Sequence, residues 1–576
     1  MHMEVKLMKG TTLIVSSMSY DKDKYSSEEY IKGGNYLLYK NFNKKFLADK
    51  VFDEDDEYVV VIDGVILNNK ELYSKYVVSD NFSLIKKMFQ SHGSLFVDQL
   101  RGNFYGIIFD KQKKEWFVFT NHLNSKPLYY YINDNKDTFV VSSDLFDLIK
   151  ALKDLNVKVN LDEISAYCML TFGYMVEDMT LIKEIRKIEP ATVMKYCNSE
   201  LTKKQYFFID NENYLKDSED KIIDNMYELF SNSIDLSFKK DEEFGYKHIT
   251  YLSGGLDSRM IGIAAKKLGY NDITSITFSE NYSRDEQIAR KIADDFQYES
   301  IFKSLNNGNY LKNIDEAVDG NFGQNIYSGA VHLVSTNNVI NFDKYGFIFN
   351  GNIADVMHGD YIEAPQHTKP SIGNWMYSKR LMDKVAFLQP IVEKKYSNEE
   401  KFAIYNRGIN GMFNGSVSAL GISETCEPFL NQDAIAYCSR MRPEFKYKER
   451  AFIKMIQKHY PEATNYKWQK WNLKPTPFNQ KFMGTFPGKV FRVLDGQIQR
   501  FTSQSNNMNP FDKWYSENES LRKFVYDYIK DNFYVLDQYS ELKKDCEVLV
   551  KEGNLVEKTQ VMTLLNFIGR VNEIYG

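Results

Sequence analysis

The stretch from His248 to Tyr270, HITYLSGGLDSRMIGIAAKKLGY, constrains the fold more than any other part of the chain. It places a short apolar run, a turn with two glycines and an amphipathic pattern in immediate succession, which predicts a strand followed by a helix from Asp257 to Leu268. The alternation continues through DITSITFS, SRDEQIARKIADDF and YESIFKSL. These segments predict a parallel sheet with crossover helices.

The first part of the chain follows a different pattern. Short runs rich in β-branched and aromatic residues, such as YVVVIDGVIL, EWFVFT and TFVVSS, are separated by polar turns. We therefore predict a sheet-rich domain over residues 1–208, a parallel-sheet domain over 209–480 and a more helical extension over 481–576. A chain of 576 residues is also too long for one ordinary core.

Composition and charge exclude several classes of protein. A hydrophobic content of 43% with only 12 prolines indicates a globular chain, and a net charge of -5 gives no global attraction to nucleic acid. No apolar segment is long enough to span a bilayer, and the five cysteines form no CxxC pair, which favours a reducing compartment. We expect a cytoplasmic protein that binds neither nucleic acid nor a membrane.

The glycine turn has the composition of a phosphate-binding loop. Ligands bind beyond the carboxyl ends of parallel strands, where glycines and a helix N-terminus offer backbone N–H groups to an anion. The lysine of a Walker A loop and the three glycines of a Rossmann fingerprint are both missing. A carboxylate among phosphate donors repels the ligand unless a divalent cation lies between them, so Asp257 predicts Mg²⁺. A helix-capping turn without a ligand is the structural alternative.

SGGLDS after a strand resembles the pyrophosphate-binding loop of the asparagine synthetase family. RGNFYGIIFD with SKPLYYY, LTFGYMVEDMTLIKEIRKIEPAT, and CEPFLNQDAIAYCSRMRPEFKYK are similar to other segments of that family, in the same order. The resemblance covers roughly residues 10 to 475. It implies an α/β fold: an N-terminal Ntn-hydrolase-like β-sandwich with flanking helices, then a pyrophosphatase-loop parallel-sheet domain of the Rossmann-like, adenine nucleotide α hydrolase type, and a helical C-terminal extension.

The resemblance also implies a site for ATP and Mg²⁺. FIFNGNIADVMHGDY is similar to the second nucleotide loop of the family, so Asp257 and Asp355 are expected to share the metal and to act in catalysis. A catalytic cation facing the pyrophosphate is expected in KYKERAFIKMIQKHYP, where Arg450 is preferred and Lys448 is the alternative. The implied nucleotide-binding residues are Leu252, Ser253, Gly254, Gly255, Asp257, Ser258, Thr277, Asn350 and Gly351.

The N-terminal domain departs from the family members that hydrolyse glutamine. Those members carry an N-terminal cysteine nucleophile, whereas the first cysteine of this sequence is Cys168. Their glutamine-binding Asn-Gly-Glu motif appears here as Asp63 to Val65, and their Arg-Asp dipeptide appears as Thr120 and Asn121. We therefore predict a degenerate glutaminase domain that is structural or recognises a partner.

The synthetase half lacks an obvious general base. Asn352 occupies the position that resembles a catalytic glutamate in asparagine synthetases and a tyrosine in β-lactam synthetases, and Val356 follows the metal aspartate. The nearby candidates for a base are His358, Asp360, Tyr361 and Glu363.

Two charged segments have simpler explanations. Asp285 and Glu286 match a family acidic pair, but they also suit the first turn of a helix, where we expect them to hold the loop. YKWQKWNLK predicts one helical face carrying Lys467, Lys470 and Lys474. Nucleic acid is one candidate ligand there, and capping of the active-site edge is the plainer expectation.

The leading hypothesis is an AMP-forming ligase that adenylates a carboxylate, releases pyrophosphate and couples the acyl group to an amine or ammonia. Intramolecular ring closure, as in β-lactam synthetases or lasso-peptide cyclases, is an alternative that the lost glutaminase favours. An eroded ATP-binding or scaffold protein is an alternative of another class. The expected partners are a small-molecule or peptide carboxylate and an amine or ammonia donor. A separate nitrogen-donor or carrier protein, and a homodimer, are further alternatives.

Overall fold

The computed structural model describes residues 10–17, 29–502 and 508–576, which form three sheets surrounded by helices. Two six-stranded sheets come first, and one five-stranded sheet follows. The strands are β1 (Thr11–Ser16), β2 (Glu29–Lys32), β3 (Tyr36–Lys40), β4 (Val51–Glu54), β5 (Tyr58–Ile66), β6 (Gly102–Asp110), β7 (Glu115–Thr120), β8 (Tyr129–Ile132), β9 (Thr138–Ser142), β10 (Arg186–Lys187), β11 (Thr192–Cys197), β12 (Glu200–Gln205), β13 (Lys247–Tyr251), β14 (Ile273–Ser279), β15 (Glu299–Ser304), β16 (Tyr345–Phe349) and β17 (Thr425–Cys426).

Helices connect these strands and make up most of the chain after residue 426. The α-helices are α1 (Asn69–Tyr76), α2 (Asn81–His92), α3 (Leu145–Asp154), α4 (Glu163–Phe172), α5 (Glu219–Glu243), α6 (Leu256–Lys267), α7 (Arg284–Phe296), α8 (Ile314–Asn321), α9 (Val331–Asn337), α10 (Asp355–His358), α11 (Met382–Val385), α12 (Leu388–Lys395), α13 (Glu399–Phe402), α14 (Phe413–Val417), α15 (Gln432–Cys438), α16 (Pro443–Lys446), α17 (Arg450–His459), α18 (Pro477–Met483), α19 (Phe486–Thr502), α20 (Phe511–Glu517), α21 (Glu519–Asn532), α22 (Ser540–Glu552) and α23 (Leu555–Tyr575). A π-helix spans Ala403–Met412.

The first two sheets pack face to face as a sandwich. Their orders are β10-β8-β9-β1-β3-β2 and β12-β11-β7-β6-β5-β4, with antiparallel neighbours. Side chains alternate along β5, so that Val59 and Val61 enter the sandwich core, whereas Val60 and Ile62 pack against α2 on the outer face. Helices α3 and α4 cover the other sheet, which confirms the predicted sandwich with flanking helices.

The third sheet is parallel throughout, in the order β15-β14-β13-β16-β17. Helix α6 connects β13 to β14, and α7 connects β14 to β15, so the carboxyl ends of these strands meet at one edge. Along β16, Phe347 and Phe349 pack against the cluster that includes α5, α6 and α17, while Ile348 faces the opposite side. The predicted parallel-sheet region is therefore confirmed.

The C-terminal helices contact both halves of the chain. Helix α23 begins with a capping box between Asn554 and Glu557, and it packs against α3 and α4 of the sandwich and against α8. The division at residues 208 and 480 stays a prediction. In the described part of the chain, no helix combines the length and the apolar character needed to cross a membrane.

The helix predicted over YKWQKWNLK does not form. This segment is a turn in which Trp468 pairs with Leu473 through a backbone bridge, and Asn472 has a left-handed φ of 55°. The rings of Trp468 and Trp471 are buried 4.5 Å apart. Lys467, Lys470 and Lys474 therefore do not share a helical face, because burial of the two indoles favours a turn here.

Four buried charges join the sandwich to the parallel-sheet half. Lys50 Nζ lies 3.3 Å from Asp63 Oδ1 and 2.7 Å from Glu424 Oε1, while Lys126 Nζ lies 3.1 Å from Asp63 Oδ1 and 3.0 Å from Glu424 Oε2. Burial opposes ionisation of the two acids, but the two lysines outweigh it and lower the pKa of both Asp63 and Glu424. Each charge of this cluster thus faces two charges of opposite sign.

Replacement of one acid in this charge cluster should strongly destabilise the protein. In Glu424→Gln, two buried lysines would share the single carboxylate of Asp63, and we expect a loss of about 3–5 kcal/mol in the free energy of unfolding. The matched control is Glu54→Gln, which removes an exposed partner of Lys111 and should cost at most about 1 kcal/mol. Denaturant unfolding followed by circular dichroism measures both, and similar losses for the two variants would contradict the expectation.

Candidate functional site

A cavity of about 490 Å³ lies at the carboxyl edge of the parallel sheet. Its walls come from the loops that follow β13 and β16, from β14 and from the π-helix. This is the position at which open parallel sheets bind ligands, and the volume suits a nucleotide-sized molecule. Eight of the predicted site residues line it: Leu252, Ser253, Gly255, Asp257, Ser258, Asn350, Gly351 and Asp355.

The loop between β13 and α6 is held by its own serines. Ser253 and Ser258 have their hydroxyl oxygens 2.8 Å apart, and the backbone N–H of Ser253 donates to Ser258 Oγ at 3.0 Å. The N–H of Gly255 donates to Ser253 Oγ at 3.1 Å. These bonds keep the loop closed above the N-terminus of α6, where unpaired N–H groups favour an anion.

Two buried charges support this loop from behind. The N–H of Gly254 donates to Asp285 Oδ1 at 2.8 Å, and the guanidinium of Arg259 donates to the carbonyls of Gly254 at 2.6 Å and Gly255 at 2.8 Å. Gly254 therefore faces Asp285 and Arg259 and does not line the cavity. Asp285 holds the loop, as expected. The sequence reasoning missed Arg259, although a cation in the first turn of a helix opposes the helix dipole and was a usable signal.

The loop after β16 touches the first loop at a glycine. A Cβ atom at Gly351 would lie 2.8 Å from both Asp257 Cβ and the backbone nitrogen of Ser258, so only glycine permits this approach. The Asn350 side chain donates to Glu427 Oε1 at 2.7 Å and accepts from the N–H of Asn352 at 3.0 Å. The two predicted loops are thus brought together at one end of the cavity.

Thr277 is near the cavity but does not line it. Its hydroxyl is buried and donates to the carbonyl of Leu252 at 2.8 Å. The bond holds the end of β13 beside β14, so Thr277 supports the SGGLDS loop from behind.

Acidic side chains and one histidine converge beside these loops. His358 Nε2 lies 3.0 Å from Asp257 Oδ1, and donor atoms of Asp355, His358 and Asp360 lie within 4.8 Å of one another. Burial disfavours the charged imidazole, but Asp257, Asp355 and Asp360 outweigh it and raise the pKa of His358 to about 10. Burial raises the pKa of Asp355 to about 6, although His358 opposes this.

The donor set of this acidic cluster fits a hard divalent cation. Three carboxylates, from Asp257, Asp355 and Asp360, are drawn together around one imidazolium. Buried Nδ1 of His358 has no hydrogen-bond partner among the described residues. Oxygen ligands with a net negative charge are those that Mg²⁺ prefers, so Asp257, Asp355 and Asp360 suit it better than a softer metal.

Arg450 and Lys448, the two residues expected to supply the catalytic cation, do not line this cavity. Arg450 donates to Glu219 on α5 at 2.9 Å because α17 turns that face of the helix towards α5. Lys448 has a left-handed φ of 55°, and its ammonium lies over the Tyr447 ring. Lys470, which does not line the cavity either, lies beside the acidic cluster, with its ammonium 3.0 Å from Asp360 Oδ1 and 2.7 Å from Glu449 Oε1.

Two further parts of the cavity had no signal in the sequence. Arg407 projects from the π-helix and lies over the rings of Tyr174 and Tyr377, at 5.8 and 5.0 Å. It belongs to the segment between residues 363 and 410, whose pattern predicts no regular element. The opposite wall is mainly apolar and aromatic, with Tyr251, Ile276, Phe278, His332 and Leu333.

Comparison with known families divides the chain in the same way as the sheets do. The glutamine amidotransferase domain family matches residues 48–207, and the asparagine synthase family matches residues 225–336. The first match covers most of the sandwich. The second covers β13, β14 and β15 with the intervening helices and the SGGLDS loop.

Three curated relatives are similar over part of their length. A protein of Methanocaldococcus jannaschii assigned as glutamine-hydrolysing asparagine synthetase 2 is 26% identical over 282 residues, which cover 46% of this chain and 52% of that protein. Glutamine-hydrolysing asparagine synthetase 2 of Bacillus subtilis is 24% identical over 42% of this chain and 34% of that protein. Amidase chry2 of Gibberella zeae is 22% identical over 52% of this chain and 46% of that protein. The chain thus spans about half the length of these relatives or less.

Asp355→Asn should stabilise the protein in the absence of divalent cations. The folded state holds the proton of Asp355 more tightly than the unfolded state does, so its ionisation lowers stability as the pH rises from about 4 to above 6. At pH 7.5 with a chelator, we expect a gain on the order of 1 kcal/mol in the free energy of unfolding, which disappears towards pH 4.5.

Asp272→Asn is the matched control, because Asp272 is exposed and the substitution should change little at either pH. Denaturant unfolding at the two pH values measures both variants. A less stable Asp355→Asn protein at pH 7.5 would contradict the electrostatic account of this cluster.

Proposed function

The chain belongs to the asparagine synthetase family, and on that premise we propose that it is an ATP-dependent, AMP-forming carbon–nitrogen ligase. The enzyme adenylates a carboxylate, releases pyrophosphate and joins the acyl group to an amine or to ammonia. The observation that carries this proposal is that Asp257, Asp355 and the SGGLDS loop line one cavity at the carboxyl edge of the parallel sheet.

Each part of the cavity has a role in this proposal. The N–H groups at the start of α6 and the hydroxyls of Ser253 and Ser258 bind the phosphates of ATP, and the apolar wall around Ile276 receives the base. Asp257 and Asp355, with Asp360, hold Mg²⁺, which when bound offsets negative charge on the phosphates.

Two cations complete the proposed catalytic site. Lys470, beside Asp360, offsets the charge that develops as pyrophosphate leaves. Arg407 is the cation available to a carboxylate or an acyl-adenylate on the other side of the cavity. Asp257, Asp355 and Asp360 raise the pKa of His358 to about 10, and the imidazolium pairs with Asp257 at 3.0 Å.

We also propose that this enzyme does not obtain nitrogen from glutamine. Asp63 stands where glutamine-hydrolysing relatives carry an asparagine, and it is buried between Lys50 and Lys126. The side chain at this position is therefore committed to the charge cluster. The nitrogen then comes from free ammonia, from an amine substrate or from a separate donor protein.

We also propose a cytoplasmic location, which the five free thiols favour.

Intramolecular amide formation is the second candidate function. It is favoured by the departures from the glutaminase pattern, among them the ion-paired Asp63. Product that forms with ATP and one substrate alone, without an added nitrogen donor, would identify a cyclase. An eroded ATP-binding or scaffold protein, in contrast, would support no acid-dependent exchange of pyrophosphate into ATP.

Exchange of labelled pyrophosphate into ATP, tested with a panel of carboxylic acids, should distinguish the two proposed positions of the catalytic cation. We expect Lys470→Met to lower acid-dependent exchange by about 100-fold, since it removes a charge beside the leaving group. The exchange rate of Arg450→Met should stay within about threefold of that of the parent protein, because this side chain pairs with Glu219 away from the cavity.

Asp257→Ala serves as the negative control in this assay, and circular dichroism checks that each variant is folded. The opposite order of the two cation variants would restore Arg450 as the catalytic residue. If no acid supports exchange and Asp257→Ala binds ATP as well as the parent protein does, the ligase proposal fails.

The parent protein should release no glutamate from added glutamine. The reason is the missing nucleophile and the ion-paired Asp63, and the measurement is an enzyme-coupled glutamate assay with and without ATP. Glutamine-hydrolysing asparagine synthetase 2 of Bacillus subtilis is the positive control. Glutamate release that depends on this chain would overturn the proposal of a degenerate glutaminase domain.

A further inference from the structure

A second cavity, of about 260 Å³, lies between the sandwich and the π-helix. It shares no lining residue with the central cavity in the part of the chain that the structure describes. One wall comes from the chain on either side of β10, and the other comes from α12 and the π-helix. It is therefore a separate space, outside the proposed nucleotide site.

Lys187 is the unusual residue of this cavity. Its side chain is buried, with the residue only 6% exposed, and its ammonium donates to Asn410 Oδ1 at 2.9 Å. Among the described residues no carboxylate pairs with it, and burial alone lowers the pKa of Lys187 to about 7. A buried ammonium without a counter-ion is unfavourable, and an anion in the cavity would remove that penalty.

The other lysines of the second cavity are already neutralised. Lys395 pairs with Glu177 and with Glu189, the latter at 2.8 Å, and Lys401 pairs with Glu212 at 2.7 Å. Lys187 is thus the cation here whose charge is left for a ligand.

The remaining walls combine polar and apolar residues: Asp178, Gln205 and Asn406 also line the cavity, and Glu177 and Glu189 are the partners of Lys395. Ile188, Pro190 and Phe208 face the cavity from the sandwich side, and Tyr396 and Tyr405 face it from the other side. The volume equals that of roughly eight or nine water molecules, which suits a ligand with an aromatic ring or a short alkyl chain. A fully hydrated inorganic anion would leave these apolar walls without contacts.

We propose that the second cavity binds a small organic acid with an apolar body, whose carboxylate pairs with Lys187. The apolar body lies against Tyr396 and Tyr405, while the carboxylate receives a charge-assisted hydrogen bond from the ammonium. The binding of this acid does not depend on the ligase activity proposed for the central cavity.

The π-helix connects the two cavities. Asn406 and Asn410 line the second cavity, whereas Arg407, Gly411 and Met412 line the central one. Helices of this type are rare and are frequently found at functional sites. An acid bound at Lys187 therefore contacts the same element that carries Arg407 to the central cavity, and it should restrict the motion of that element.

Matched ligand pairs test the proposal on the full chain without ATP. Phenylacetate and hexanoate carry the carboxylate, whereas phenethylamine and hexylamine offer similar apolar bodies with the opposite charge. Calorimetry should detect binding of at least one acid, with the matching amine weaker by about tenfold or more. Hydrogen exchange should show that the acid protects the backbone of residues 403–412.

Two lysine variants assign the binding to this cavity. Lys187→Met should lower the binding affinity for the acid by about tenfold or more. Lys401→Met removes a neutralised lysine of the same cavity, and its affinity should stay within about threefold of that of the parent protein. Thermal unfolding checks that both variants are folded. Lys187→Arg keeps the positive charge and should therefore retain the binding that Lys187→Met loses. The proposal is wrong if neither acid binds, if an amine binds as well as its acid, or if Lys187→Met leaves acid binding unchanged.

Discussion

The charge cluster of Lys50, Asp63, Lys126 and Glu424 determines how the two halves of this protein are arranged. The pairs lie up to 374 positions apart in the sequence, yet each charge contacts two of opposite sign in the buried interface. A shift of the sandwich relative to the parallel-sheet half would be unfavourable, since separating one pair weakens the compensation of a buried charge. Glu424 directly precedes β17, so the cluster also positions the edge of the parallel sheet.

Contacts between the sandwich and the parallel-sheet half also position the loops that follow β13 and β16. Glu427, just after β17, accepts a hydrogen bond from Asn103 of the sandwich at 3.1 Å and one from Asn350 at 2.7 Å. Asn103 also donates to the carbonyl of Thr425 at 2.8 Å. The sandwich therefore helps to shape the cavity, because its side chains hold the loop that carries Gly351 against Asp257.

Local patterns in the sequence predicted much of this structure, whereas contacts between distant residues were not predictable from them. The period-2 alternation in β5 and the SGGLDS turn between β13 and α6 report on their neighbours in the chain, and both elements form as predicted. Lys467, Lys470 and Lys474 have the spacing of one helical face, but this segment is a turn in which Trp468 and Trp471 are buried. Arg407 depends on a π-helix, which has no simple periodic signature.

The acidic cluster supports a ligand-dependent function on energetic grounds alone. Of the three negative charges, Asp257 pairs with His358 and Asp360 pairs with Lys470. Asp355 has no salt-bridge partner among the described residues, and burial raises its pKa to about 6. In the absence of a cation this arrangement lowers stability, and an amide at Asp355 would relieve the repulsion without changing the shape of the site. Carboxylates placed together in this way are favourable only when a further positive charge joins them. The same reasoning applies in reverse to the second cavity, where Lys187 lacks the negative charge that would complete it.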